Sequence, residues 1–161
     1  MTSPRSAQAG EILVVDDNRV NRLLLGRALE RCRWRPDADD RGAPAVAAID
    51  RTVVERLATT MGGPFVAELI DTFAEDAREL IATLRRALAE NDVDAFRRAA
   101  HSLKSNGESL GATALAALAR ELEAMARVGS LQGAADRIEP LVAGYEAAAR
   151  ALGALRRDLL A

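Results

Sequence analysis

The sequence predicts an all-α protein whose main domain is an antiparallel four-helix bundle. Hydrophobic residues make up 49% of the chain but aromatic residues only 3%, so the core must consist mainly of alanine, leucine, valine and isoleucine. Alanine and leucine are strong helix formers because they lose little side-chain freedom in a helix. Over residues 47–161, apolar residues recur every three or four positions, which places them on one face of each helix. Several such segments with short connections favour an antiparallel bundle.

Length, charge and cysteine content restrict the class of protein. A chain of 161 residues with a formal net charge of -2 fits one domain with an appendage and predicts no strong attraction to nucleic acid or to a membrane surface. No apolar run is long enough to cross a bilayer or to form a signal peptide. The single cysteine, Cys32, cannot form an intramolecular disulfide and fits a reducing compartment. We therefore expect a cytoplasmic protein.

The residues before the bundle predict a small appendage and a linker. Ile12–Val15 is a β-branched run that predicts a short buried strand. Apolar residues from Val20 onward predict a helix to about Cys32, with Asp17 or Asn18 as its N-cap. Two prolines and a glycine then predict the linker. We divide the chain into a flexible tail (1–10), a strand and helix unit (11–33), a linker (34–46) and the bundle (47–161).

The bundle region predicts one short helix and four long ones. Asp50 caps the short helix, which ends near Thr60. Pro140 predicts a start or a kink in the last long helix, because proline disrupts a helix interior. The acidic residues of the first long helix are interpreted as a solvated face: Glu68, Asp71, Glu75, Asp76 and Glu79. The long helices are expected at Phe65–Leu88, at Val93–Leu110, from about Leu115 to near Gly129, and from about Ile138 to Leu152.

The only histidine and the only lysine of the chain, His101 and Lys104, lie one helical turn apart. At about 100° per residue, His101 falls roughly 150° from the centre of the apolar stripe of its helix, so we expect it to face solvent. Ser105 is small and leaves the imidazole open to a docking protein. Gly107 is costly within a helix and indicates either close packing behind the site or a slight break. The neighbours of His101 on the helical wheel are Arg97, Arg98, Lys104, Ser105 and Glu108.

The surroundings of His101 favour acceptance of a phosphoryl group over other histidine chemistry. A zinc site needs three or four ligands, and the chain has no second histidine, so we expect no metal site. Neither the nucleophile elbow of a hydrolase triad nor a pocket for general acid–base catalysis is indicated. A neutral imidazole is a nucleophile at neutral pH, and Lys104, Arg97 and Arg98 can offset the charge of a phosphoryl group. The alternative is a surface histidine without a function.

The run Ala100-His101-Ser102-Leu103-Lys104-Ser105, followed by Leu110-Gly111-Ala112, resembles the signature of histidine-containing phosphotransfer (HPt) domains. The resemblance extends over about Ile49 to Leu155. Outside the signature it includes a helix before the site (Phe65, Glu68, Leu69, Ile70, Phe73), the turn Asn91-Asp92, and a helix after the site (Leu118, Leu122, Glu123).

The resemblance implies a four-helix bundle in which His101 accepts the phosphoryl group and Lys104 supports it. Ser105 stands where many members of the family have glycine. The family implies a phosphohistidine carrier without an ATP site, not an enzyme, and without a cofactor of its own. The implied partners are receiver domains of hybrid histidine kinases and response regulators. One receiver would supply the phosphoryl group from an aspartyl phosphate, with Mg²⁺ on the receiver, and another would take it.

The N-terminal segment resembles the first strand and first helix of a response-regulator receiver, through Ile12–Asn18, Asn21-Arg22 and Leu29-Glu30. In receivers, an acidic pair such as Asp16 and Asp17 helps to hold Mg²⁺, which prefers carboxylate oxygens. No later strand ends in an acceptor aspartate, so we interpret the segment as a remnant. We favour a helix cap and first-turn negative charge for the pair over a metal site. The helix can pack on the bundle, self-associate or engage another chain.

Two further functions compete with a phosphorelay carrier. The bundle could bind or inhibit a receiver or a kinase without transferring phosphoryl groups. It could also be the dimerisation and phosphoacceptor element of a histidine kinase. That family usually has an acidic residue after the histidine and a proline shortly beyond, whereas here Ser102 follows and the first proline after His101 is Pro140. The second alternative is therefore the less favoured.

Overall fold

The computed structural model describes residues 18–31 and 48–161, with side chains left out for residues 28–31. This part of the chain forms six α-helices and no β-strand, which confirms the all-α prediction. The predicted tail, the strand Ile12–Val15, the pair Asp16 and Asp17, and the linker lie outside the described residues. The helices are α1 (Arg19–Arg31), α2 (Arg51–Met61), α3 (Gly63–Glu90), α4 (Val93–Ser109), α5 (Thr113–Arg127) and α6 (Ala135–Leu160).

Helices α3 to α6 form the four-helix bundle, in which α4 packs between α3 and α5, and α6 packs against α3 and α5. Their apolar faces meet in one core whose largest fully buried side chains include Phe73, Phe96, Leu115 and Leu141. Burying such a side chain contributes about 1.5–3 kcal/mol relative to leaving it exposed. This shared core fixes the spacing of the helices and therefore the position of any side chain they present.

The ends of these helices follow local chemistry in the sequence. The carboxylate of Asp50 accepts a hydrogen bond from the Thr52 backbone N–H at 3.0 Å, as the capping prediction requires. Asp92 caps α4 in the same way through the Ala95 N–H at 2.9 Å. Asn91 ends α3 with a φ of 53°, in the left-handed region that asparagine tolerates better than most residues. The caps set the register at which α4 begins.

Two expectations for the bundle need correction. Helix α6 begins at Ala135, more than a turn before Pro140, so of the predicted start or kink at this proline the start is wrong. Pro140 lies in the second turn, where burial of Ile138 and Leu141 offsets one lost backbone hydrogen bond. The second error concerns Asp76, which is 8% exposed rather than part of a solvated face. It is tolerated inside because its Oδ2 accepts a hydrogen bond from the Nδ2 of Asn106, itself fully buried, at 2.5 Å.

Helix α1 packs against α3 and α4, so of the three sequence-based options the structure shows packing on the bundle. The Oδ1 of Asn18 accepts a hydrogen bond from the Asn21 backbone N–H at 3.1 Å and caps the helix. Val20 is fully buried, and the Arg27 guanidinium lies 5.5 Å from the centre of the Phe65 ring. None of the helices in the described ranges is long and apolar enough to span a membrane.

Candidate functional site

Helix α4 presents His101 to solvent in the middle of a rigid element. The opposite face of α4 buries Phe96, Ala100 and Leu103 in the core. The imidazole lies on the outer face, and its side chain is 58% exposed. The solvent-facing position expected from the helical wheel is therefore the one observed. Because the histidine sits within a packed helix, its orientation depends on the neighbouring helices.

The imidazole is oriented by a buried glutamate on α5. Glu123 Oε1 lies 3.0 Å from Nδ1 of His101, and Oε2 accepts a hydrogen bond from Lys104 Nζ at 2.8 Å. Arg127 Nη2 donates to Oε1 at 3.0 Å from one turn further along α5. The Glu123 side chain is only 5% exposed. One carboxylate thus joins His101, Lys104 and Arg127 in a single cluster.

The charge state of Glu123 determines which nitrogen of His101 can react. Burial by itself raises the pKa of Glu123, but the hydrogen bonds from Lys104 and His101 and their positive charges outweigh burial and lower the pKa to about 2. The ionised carboxylate can only accept hydrogen bonds, so Nδ1 carries a hydrogen and donates it. The lone pair is then on Nε2 of an exposed ring, which is the arrangement of a nucleophile.

Gly107 explains how α5 comes close enough to α4 for Glu123 to reach the imidazole. A Cβ atom on Gly107 would lie 3.2 Å from the carbonyl oxygen of Ala112 and 3.3 Å from Cβ of Ala116. Helix α4 continues through Gly107 to Ser109, so the glycine does not break it. Close helix packing is the one of its two predicted roles that the structure shows.

Comparison with known proteins assigns this bundle to a family. The family model described as the Hpt domain matches residues 68–158, which is more than half of the chain. The chain belongs to the Hpt family. It is also similar to the crystal structure of histidine-containing phosphotransfer protein B (HptB) from Pseudomonas aeruginosa PAO1, with 32% identity and a TM-score of 0.66. The match covers 73% of this chain and 98% of that chain. A search of curated proteins found no match.

The other predicted site residues do not join the Glu123 cluster of this Hpt domain. Glu108 pairs with Arg120 of α5 at 2.7 Å. Arg97 lies 3.8 Å from Asp94 of its own helix, and Arg98 is exposed on α4. Ser105 is partly buried, and its Oγ accepts a hydrogen bond from Asn21 Nδ2 of α1 at 3.3 Å. Its small side chain therefore contacts α1 as well as leaving space beside the imidazole.

Sequence reasoning did not identify Glu123 or Arg127 as site residues of the Hpt domain. The sequence places Glu123 only in the helix that resembles the family. It stands within a stripe of buried residues on α5, between Leu122 and Ala126. An acidic residue in an apolar stripe needs a cationic or hydrogen-bonding partner, and Arg127 follows at the i+4 spacing that favours an ion pair. These two signals together could have pointed to the cluster.

The geometry adds no metal site to this Hpt domain. Among the residues that the structure describes, no group of three histidine, cysteine or carboxylate side chains is placed to hold a metal ion. The receiver-like pair Asp16 and Asp17 lies outside that part of the chain. The cap of α1 is Asn18 and its first turn holds no acidic residue, so the interpretation of the pair as a helix cap with first-turn charge is wrong.

Proposed function

We propose that this protein is a phosphorelay intermediate in which His101 carries the phosphoryl group. A receiver domain would deliver the group from its aspartyl phosphate, and a second receiver would take it from His101. The observation that supports this most is the 3.0 Å contact between His101 Nδ1 and the ionised Glu123, which leaves Nε2 as the nucleophile. Membership of the Hpt family supports the same reaction class.

In the forward step, the Nε2 lone pair attacks the phosphorus atom of the aspartyl phosphate. The new N–P bond forms as the P–O bond to the aspartate breaks, and the aspartate leaves with that electron pair. The imidazole becomes cationic because Nδ1 keeps its hydrogen. The Glu123 carboxylate stabilises this charge, since it accepts the Nδ1 hydrogen bond throughout. Transfer to the second receiver is the reverse reaction with a new aspartate.

Lys104 supports the bound phosphoryl group in this proposal. Lys104 lies one turn from His101, its side chain is 18% exposed, and its ammonium donates a hydrogen bond to Glu123. A positive charge fixed next to the imidazole lowers the energy of the added phosphoryl oxygens without a large loss of side-chain freedom. Arg97 and Arg98 add positive charge on the same helix. Mg²⁺ belongs to the receiver in this scheme, and the phosphoryl group comes from the receiver, so the protein acts as a carrier.

Phosphotransfer profiling tests the assignment. Wild type and His101→Gln are mixed with a panel of receiver domains bearing radioactive aspartyl phosphate, and label on this protein is followed with time. We expect acid-labile label on the wild type and none on His101→Gln. A Ser130→Ala control changes an exposed residue between α5 and α6 and should be labelled like wild type. Label that persists in His101→Gln, or its absence from wild type with every receiver, would contradict the proposal.

A binding module that docks a receiver without transfer is the second candidate. The observation in its favour is α1, a helix from the receiver-like segment that packs against the bundle outside the matched residues 68–158. Receiver affinity that survives in His101→Ala, together with no detectable transfer to wild type, would favour this candidate.

A further inference from the structure

Helix α1 lies directly beside the proposed phosphoacceptor. Asn18 Nδ2 donates to the backbone carbonyl of Ser102 at 3.3 Å, and Asn21 Nδ2 donates to Ser105 Oγ at 3.3 Å. At about 100° per residue, Ser102 and Ser105 lie on one side of His101 along α4, and Lys104 lies on the other side. Lys104 marks the side that faces α5. His101 therefore lies between α5 and α1.

A partner that reaches His101 must meet α1. A typical protein–protein interface buries about 800 Å² on each partner, which corresponds to a patch with a radius of about 16 Å. Ser105 is one helical turn, about 5.4 Å, from His101 along α4, and Asn21 contacts it. A receiver centred on the imidazole therefore either rests on α1 or displaces it.

The packing of α1 favours contact over displacement. Val20 is fully buried and Asn18 is 4% exposed, so removing the helix would uncover both an apolar and a polar group. With α1 in place, the His101 side chain is still 58% exposed. The nucleophile is therefore accessible without any movement of α1.

The side of α1 that faces the site carries an exposed leucine. Leu25 lies about 40° from Asn21 around the helix and one turn further along it. It is 45% exposed. The other flank of α1 borders a separate groove, about 420 Å³ in volume and lined by residues that include Leu23, Gly26 and Glu68. Asn18 contacts Ser102 and Asn21 contacts Ser105, so α1 runs along α4 away from His101. Leu25 therefore lies about two helical turns, roughly 11 Å, from His101 along the helix axis, inside the radius of about 16 Å that a docked receiver would cover.

We propose that α1 forms one side of the receiver-docking surface around His101, with Leu25 as its apolar contact. This rests on the proposed function, because the partner is the receiver that exchanges the phosphoryl group. A minority of the side chains in an interface cost more than about 1 kcal/mol each when truncated, and we assign Leu25 to that minority. Since α1 lies outside the segment matched by the Hpt family model, it adds to the family bundle a surface by which this chain selects among receivers.

The test measures receiver affinity in the full-length chain. The probe is the receiver of the panel that binds wild type most tightly, activated with beryllofluoride and titrated by calorimetry. Leu25→Arg should raise Kd about tenfold, the effect of losing one important apolar contact. The matched control is Leu160→Arg, which changes a leucine of similar exposure, 52%, on α6. Helix α6 is separated from α4 by α3 and α5, so this variant should change Kd by less than about twofold.

The outcomes separate this proposal from the proposed function. An unchanged Kd in Leu25→Arg would place α1 outside the interface, and a lower Kd would show that α1 obstructs binding. Either result overturns the proposal. The proposal is also overturned if no receiver binds the wild-type protein. Labelling of His101 by phosphoramidate needs no docking and tests the histidine alone. If neither phosphoramidate nor a receiver labels His101 while Leu25→Arg still weakens binding, the proposed function fails and the docking surface stands. Should Leu25→Arg lower the melting temperature, Leu25→Ser replaces it under the same criteria.

Discussion

At the residue scale, the site is organised by a single buried carboxylate. Glu123 receives hydrogen bonds from Lys104, His101 and Arg127. Of these, Lys104 and His101 lower its pKa and keep it ionised despite its burial. Because it is ionised, it fixes the hydrogen on Nδ1 of His101. In the proposed reaction, the nucleophilicity of the exposed His101 depends on a buried residue that a partner protein does not need to contact.

Replacing Glu123 with glutamine should slow phosphotransfer to His101. The cationic imidazole of the transfer step loses its counter-charge, and a hydrogen bond to a charged group is worth about 1.5–3 kcal/mol. We expect the transfer rate from a phosphorylated receiver to fall by about tenfold or more, since about 1.4 kcal/mol corresponds to tenfold. Glu139→Gln, which changes an exposed partner of Arg85, is the control and should transfer normally. An equal rate in Glu123→Gln would show that the carboxylate does not assist the step.

The lowered pKa of Glu123 also predicts how stability depends on pH. The pKa of Glu123 is about 2 in the folded protein against the ordinary glutamate value of 4.5, so the unfolded chain binds the proton more readily. The stabilisation is therefore fully present above pH 4.5 and is lost as the pH falls toward 2. Urea unfolding should show a stability gap between wild type and Glu123→Gln at pH 7 that narrows below pH 4.5. A gap that stays constant down to pH 2 would contradict this assignment.

At the element scale, the contact between α4 and α5 depends on a glycine. Gly107 faces the backbone at the start of α5, where Ala112 N donates to the Gly107 carbonyl at 2.7 Å. The adjoining turn is tied to the residue before α2 by the hydrogen bond from Asp50 N to the Gly111 carbonyl, also 2.7 Å. These two hydrogen bonds hold the backbone around Ala112 in place. A side chain at position 107 would press against this fixed backbone.

Gly107→Ala should destabilise the fold although alanine favours helices. The gain in helix propensity is about 1 kcal/mol, whereas overpacking against fixed backbone costs about 1–3 kcal/mol. We expect a lower midpoint of urea unfolding. Gly153→Ala in α6 is the matched control, because its Cβ would meet nothing within 4 Å, and it should raise the midpoint. Equal shifts of the unfolding midpoint in the two variants would show that helix propensity alone determines the effect on stability.

At the scale of the whole molecule, a buried polar contact joins α3 to α4. Asn106 and Asp76 are 0% and 8% exposed, and the amide donates to the carboxylate across the two helices. A buried polar pair stabilises one register of packing, because any slip leaves both groups without a partner. This contact also fixes the helix that carries His101 relative to the long helix beside it.

Asn106→Ala should be strongly destabilising, because it leaves the Asp76 carboxyl buried without this donor. An unsatisfied buried polar group costs about 1–3 kcal/mol, and for a chain of this size each kcal/mol lowers Tm by about 2–4 °C. The double variant Asp76→Ala, Asn106→Ala removes both groups. Its loss of folding free energy should be smaller than the sum of the losses in the two single variants. If calorimetry shows that the losses of folding free energy in the two single variants add up to that of the double variant, Asp76 and Asn106 are not coupled.

The sequence by itself determined the helices, their order and the exposed position of His101. These features follow from apolar spacing and from capping residues such as Asp50 and Asp92, which act within one or two turns of the chain. The resemblance around His101 and Lys104 likewise identified the family that the comparisons show.

Only the tertiary structure decided which residues complete the site. Glu123 reaches His101 because α5 packs closely on α4 at Gly107, and Asp76 is buried because Asn106 meets it from another helix. The position of α1 beside Ser105 likewise depends on tertiary packing, because α1 buries its apolar side against α3 and α4. Each of these contacts joins residues far apart in the chain, so local spacing predicts which side of a helix is buried but not the partner that it meets.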